Sequence, residues 1–119
     1  MEWRVEFYER ENGNSPVMDF LQTLNVKMRS KAQAEIDMLE KHGTNLREPY
    51  VKPISGSKYR GLFELRIKFA GDISRIFYFT FTNNTFVLLH GFTKKTDKTP
   101  TRELDKAMRY KIDHERRYK

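Results

Sequence analysis

Cysteine is absent from the chain, so neither disulfide bridges nor thiolate metal sites are available to it. Histidine is scarce: three scattered residues, with no acidic cluster beside them, argue against a metal centre. The six glycines never fall in GxGxxG or GxxxxGK order, which excludes a glycine-rich phosphate loop. Long apolar runs are missing too. No segment approaches the length of a membrane span, and the N-terminus, MEWRVEFYERENG, is charged from its second residue and unlike a signal peptide. Nothing signals a Ser-His-Asp arrangement, and paired carboxylates are a poor option where the central stretch holds only Glu64 and Asp72. There is no internal repeat or low-complexity tract. The expectation is a cytoplasmic chain with no metal, no cofactor and no membrane partner, folded as one domain over residues 1–119.

What the sequence does hold is positive charge, unevenly placed. The net charge is +7, yet residues 1–50 carry 7 Lys+Arg against 9 Asp+Glu. Residues 51–93 carry 6 against 2, and residues 94–119 carry 10 against 5. A basic back half suggests a one-sided footprint for a polyanion.

The chain is organised around Leu62–Lys95. Leu62–Phe69 alternates Phe63, Leu65, Ile67 and Phe69 against Glu64, Arg66 and Lys68, the period of a half-buried strand. Ala70-Gly71-Asp72 reads as a turn, Ile73–Thr82 as a second strand, Asn83-Asn84 as a tight hairpin and Phe86–Phe92 as a third strand. Arg75 is the odd residue of this antiparallel meander. If the connection leaves an even number of unpaired residues, Arg75 shares a face with Glu64, Arg66 and Lys68. Such a cation cluster either meets an anionic ligand, or is settled by a Glu64–Arg66 pair with Arg75 reaching out of an aromatic surface.

Upstream, Trp3–Tyr8 alternates and reads as a first strand. Ser15-Pro16 opens a helix with the stripe Val17, Phe20, Leu21, Leu24. An Asn25 cap starts a second helix, with the stripe Met28, Ala32, Ile36, Leu39, that runs to about Lys41 and stops at Gly43. Residues 44–61 form a connector with room for a short strand. After the meander comes a basic turn, Thr93–Pro100. A last helix follows, with Leu104, Ala107, Met108 and Ile112 inside and Arg102, Lys106, Arg109, Arg116 and Arg117 outside. The order is strand, two helices, three strands, helix: an α+β chain.

The candidate site collects Arg66, Arg75, Lys94 and Lys95, with Lys68, Tyr78 and His90 near them in sequence and Lys98 and Arg109 beyond. RNA cleaved by its own 2′-hydroxyl passes through an anionic phosphorane. Cations aimed at its oxygens stabilise that state, and one beside the leaving 5′-oxygen neutralises it. Arginine suits the clamp because its planar fork pairs two phosphate oxygens. Aromatic rings can stack splayed bases. A binding module would use the same residues. His90, flanked by Leu88, Leu89 and Phe92, reads either as a partly buried structural residue or as a chemical one.

The segments LFELR (Leu62–Arg66), SRIFYF (Ser74–Phe79), VLLHGFTKKTDKTP (Val87–Pro100) and AMRYKIDHE (Ala107–Glu115) resemble the RelE/ParE superfamily of bacterial toxins, and within it the phage-related HigB-type group. The resemblance implies a compact microbial RNase-like (RelE-like) fold and an mRNA interferase that cleaves translating mRNA in the A site of the 70S ribosome. It also implies a cognate antitoxin, usually a helix-turn-helix DNA-binding protein. The family's catalytic positions fall on Arg66, Arg75 and Lys95, with Lys68 and Lys94 as supporting cations. Arg75 and Lys95 are thereby expected to face solvent or RNA. RelE has a stacking tyrosine after its basic turn, where this chain reads Thr99-Pro100-Thr101, so stacking passes to Tyr78, Phe92 or Tyr110, or is absent. The alternatives are a ParE-like inhibitor of DNA gyrase and a non-catalytic RNA-binding module.

Overall fold

Alternation in the central stretch becomes strand β3, Phe63–Phe69, paired antiparallel with β4, Asp72–Thr82. Phe69 pairs with Asp72, so the turn is Ala70-Gly71 alone, with φ of 53° and 85°. Positive φ at both central residues gives the twist that a two-residue hairpin needs. The count of unpaired residues is even, and Arg75 lies opposite Arg66. β4 then pairs antiparallel with β5, Thr85–Lys94.

The computed structural model describes residues 2–82, 84–94 and 98–118. Among these, β1 (Arg4–Phe7) lies parallel to β5, and β2 (Val51–Pro53), a strand inside the expected connector, lies antiparallel to β3. The five-stranded order is β1-β5-β4-β3-β2. The parallel pair is possible because two helices intervene before the chain returns. These are α1 (Pro16–Thr23) and α2 (Val26–His42). Ser15 and Asn25 cap them as predicted, accepting from the Met18 and Met28 amides at 3.2 and 2.8 Å.

The sheet is buried on both faces. Leu65, Ile67, Ile76 and Leu88 pack with Val17, Leu21, Ala32 and Ile36 of α1 and α2. Phe77, Phe79, Val87 and Leu89 pack on the other face with Leu104 and Ala107 of α3, Thr101–Tyr118. This is the α+β architecture expected from the order of elements. The inner line of α3 differs from expectation. Ile112 is 47% exposed, whereas His114 is buried. Beyond Ala107 the helical period carries the buried line to His114, a step of seven residues, and turns Ile112 outward.

A bulge sets the face of one residue that matters below. Tyr78 pairs with Leu88 but Phe77 with His90, so β5 carries an extra residue there. Leu89 and His90 both turn toward α3 as a result.

Gly43 ends α2 with φ of 57°, and a β-carbon there would fall inside the Trp3 indole, which stacks on Phe86 at 5.2 Å. Gly43→Ala is therefore expected to lower stability by about 1–3 kcal/mol through positive-φ strain and overpacking. Urea unfolding of the variant checks it. A Trp3→Ala background should recover part of the loss, since it removes the clash and leaves the strain.

Candidate functional site

The α3-facing side of the sheet carries three in-register rows across β3, β4 and β5. They are Lys68–Ile73–Lys94 at the rim, then Arg66–Arg75–Phe92, then Glu64–Phe77–His90. Strand alternation alone brings Glu64, Arg66, Lys68 and Arg75 to one face.

At the centre, Glu64 Oε2 lies 3.2 Å from Arg66 Nε and 3.8 Å from Arg75 Nε. The Glu64 and Arg66 side chains are 6% and 14% exposed, and that of Arg75 is wholly buried. This corrects the expectation that Arg75 faces solvent or RNA. The cause is its neighbours: Phe92, stacked on Phe77 at 5.7 Å, puts its ring centroid 5.7 Å from the Arg75 guanidinium carbon, and Glu64 supplies the counter-charge. The Glu64–Arg66 pair, one of the two alternatives for this cluster, is present, and Glu64 is shared with Arg75 besides. One carboxylate against two guanidiniums leaves this trio at +1.

Lys68, Lys94 and Lys98 are exposed, as is Arg109 on α3. Lys95 lies outside the described residues. Tyr78 is on the other side of the sheet, 4% exposed between Phe63 and Phe86. Burial pushes its hydroxyl pKa well above the ordinary value. Its expected place as a base-stacking ring is thus corrected: residue 78 alternates onto the α1–α2 core. Phe92 is occupied by Phe77 and Arg75. Tyr110 is half-buried, stacked on Tyr8 at 4.9 Å, and lines a cleft of about 340 Å³ with Arg10, His90 and Lys106.

His90 is 9% exposed, and its Nε2 lies 2.6 Å from Glu103 Oε1 in the first turn of α3. Burial is the largest influence on His90 and lowers its pKa; Glu103 raises it, Lys106 and Arg109 lower it, and the net shift is downward. Burial pushes the Glu103 carboxyl up, but the His90 hydrogen bond and the Lys106 and Arg102 charges bring it below its usual value. Both directions describe one state at neutral pH: a neutral imidazole donating Nε2–H to a carboxylate. Sequence reasoning missed Glu103. Its position three residues after Pro100 marks an N-terminal helical turn, but nothing in the sequence links it to His90. Among the described residues no group of His, Asp or Glu could hold a metal ion.

Two outcomes follow for stability. Glu64 is the carboxylate shared by two guanidiniums, and Glu64→Gln removes its charge from beside the buried Arg75, so the variant should cost roughly 3–5 kcal/mol in urea unfolding. A loss under about 1 kcal/mol would mean the trio is more hydrated than its burial indicates. His90, with a folded pKa below 6.5, gives stability that is present above pH 6.5 and lost as pH falls toward the folded value. Denaturation midpoints between about pH 7 and 5 should slope less in His90→Phe than in the parent chain. An identical slope would show that His90 titrates as it does unfolded.

No curated protein matches the chain. No helix among the described residues is long and apolar enough to cross a membrane. Residues 19–111 match the model of the family described as Phage derived protein Gp49-like (DUF891). The match begins within α1 and ends within α3, so it takes in all three rows of the sheet face. The chain belongs to the Phage derived protein Gp49-like family.

Proposed function

We propose that this chain is the toxin of a type II toxin–antitoxin pair, of the HigB-type branch of the RelE/ParE superfamily, and that it cleaves mRNA on the ribosome. The observation that carries the reading is the Arg66–Arg75 pair set directly behind a rim of exposed lysines. Membership in a phage-derived family and the α+β architecture are in keeping with it.

In this reading Lys68, Lys94 and Lys98 draw the RNA backbone in by charge. Arg66, at the edge of the buried trio, meets the scissile phosphate, and its fork stabilises the phosphorane formed when the 2′-oxygen attacks phosphorus. The bond from phosphorus to the 5′-oxygen then breaks, and Lys95 neutralises that oxygen as it leaves. Arg75 contributes as a positioning residue: through Glu64 it fixes where Arg66 points. The partners in this reading are an antitoxin, of helix-turn-helix type in the HigB group, and mRNA held in the ribosomal A site.

One observation favours a second reading. A fully buried Arg75 presents no donor to RNA, and a ParE-like protein that inhibits DNA gyrase without cutting nucleic acid needs none. The third possibility, an RNA-binding module, shares the lysine rim alone.

Primer extension after brief induction separates them. New 5′ ends inside translated codons are expected for the nuclease. Intact mRNA with gyrase-trapped DNA breaks would replace it with the second reading, and RNA binding without either effect with the third. For the nuclease, Arg66→Ala and Lys95→Ala should each lower cleavage of programmed ribosomes about 100- to 1,000-fold and leave the fold intact. Arg75→Lys should lose activity together with thermal stability, because an ammonium on a flexible stem does not reproduce the planar guanidinium buried beside Phe92 and Glu64. A folded Arg66→Ala that cuts at the parental rate would overturn the assignment.

A further inference from the structure

The C-terminal end of α3 holds a second cleft, of about 570 Å³, lined by Arg4, Glu6 and Glu9 together with Phe81, His114 and Tyr118. Seven residues of β4 separate Arg75 from Thr82 on its border, about 23 Å of strand, so this is not the arginine site.

His114 is the informative residue. It is 7% exposed, with Phe81 edge-on at 4.7 Å and Tyr118 tilted against it at 4.7 Å. Its Nδ1 is buried without a hydrogen-bond partner among the described residues. A phenylalanine would fill the same aromatic nest without an unsatisfied polar nitrogen, so the imidazole does nothing for packing that a plainer ring would not do better. Tyr118, beside it, is 56% exposed, with the Arg117 guanidinium carbon 5.4 Å from its ring centroid. On the rim, Arg4 and Glu6 pair at 3.1 Å with side chains 65% and 44% exposed. An ion pair that open contributes little, and a ligand can replace either half.

The chemistry of this lining is particular. It combines flat aromatic surface, two carboxylates that only accept hydrogen bonds, and one guanidinium suited to phosphate. A planar ring that presents two adjacent N–H donors to a carboxylate and carries a phosphate satisfies all three. Of the common bases, guanine alone has that edge. Adenine and cytosine set one donor beside an acceptor, and uracil has a single N–H between two carbonyls. The cleft also has the volume of a nucleotide site, well beyond that of a small amine.

We propose that this cleft binds a guanine nucleotide, its ring against Tyr118 and Phe81, its N–H edge on a Glu6 or Glu9 carboxylate and its phosphate on Arg4. Burial lowers the His114 pKa, so the ring beneath the base is neutral at physiological pH. The site does not depend on the nuclease reading, since none of its residues belongs to that machinery.

Titration calorimetry of the full chain with GMP, AMP, CMP, UMP and putrescine tests it. Saturable GMP binding is expected, about tenfold or more tighter than the other three nucleotides. Glu6→Gln with Glu9→Gln should erase that preference. Tyr118→Ala, which removes an exposed ring assigned to stacking, should weaken GMP about tenfold while leaving Tm little changed. The proposal is overturned by no saturable binding. It is equally overturned by equal affinities that survive Tyr118→Ala, which would be phosphate on a basic surface, or by putrescine binding more tightly than GMP.

Discussion

A guanidinium with no exposed surface must be neutralised where it stands, and Glu64 does this for Arg75. The requirement reaches far into the fold. Glu64 can serve both arginines only if β3 and β4 pair in the register that sets residue 66 opposite 75. That register depends on a two-residue turn with positive φ at both Ala70 and Gly71. A slip of one residue would move Arg75 away from Glu64 and toward the α1–α2 core among Leu65, Ile67 and Ile76. The ion cluster and the hydrophobic pattern therefore select the same pairing. Replacing such a cluster with apolar residues is often neutral or stabilising by about 1–4 kcal/mol, so its value to this chain lies in placing charge rather than in stability.

The bulge in β5 has a comparable reach. Without it, residues 89 and 90 would fall on opposite faces, and His90 would turn toward Phe20 and the first helix. With it, His90 meets Glu103 and ties the first turn of α3 to the centre of the sheet. Gly91 follows at a place where a β-carbon would come within 2.5 Å of the Phe20 ring. The strand is thus closed tightly on its α1 side and polar on its α3 side over two consecutive residues.

These two features divide what could be read from the sequence. Strand alternation, the Ser15 and Asn25 caps and the Gly43 stop are local signals, and the structure follows them. The shared face of Arg66 and Arg75 was legible as a condition on turn length, since a hairpin fixes register locally. What failed was non-local. Burial of Arg75 depends on Phe92, from a strand whose register cannot be fixed through a bulge by counting. Tyr78 looked available because an aromatic strand residue has no mark saying which core it enters. Apolarity alone points Ile112 inward, yet the helical period gives that place to His114. Glu103 and His90 meet only because α3 crosses the bulged strand.

The arrangement of cations then has a physical logic in two layers. Lys68, Lys94, Lys98 and Arg109 are exposed, so their attraction for a polyanion extends over about a Debye length and weakens with salt. They can draw in a polyanion but cannot aim at one phosphate, because each sits on a flexible stem. Arg66 is the reverse: its side chain is mostly buried, with Nε 3.2 Å from Glu64 and beside a buried Arg75, so it has far less freedom to reorient than the lysines before any ligand arrives. A donor already in place needs no reorganisation when charge develops, which is the property that stabilises a transition state rather than a bound ground state.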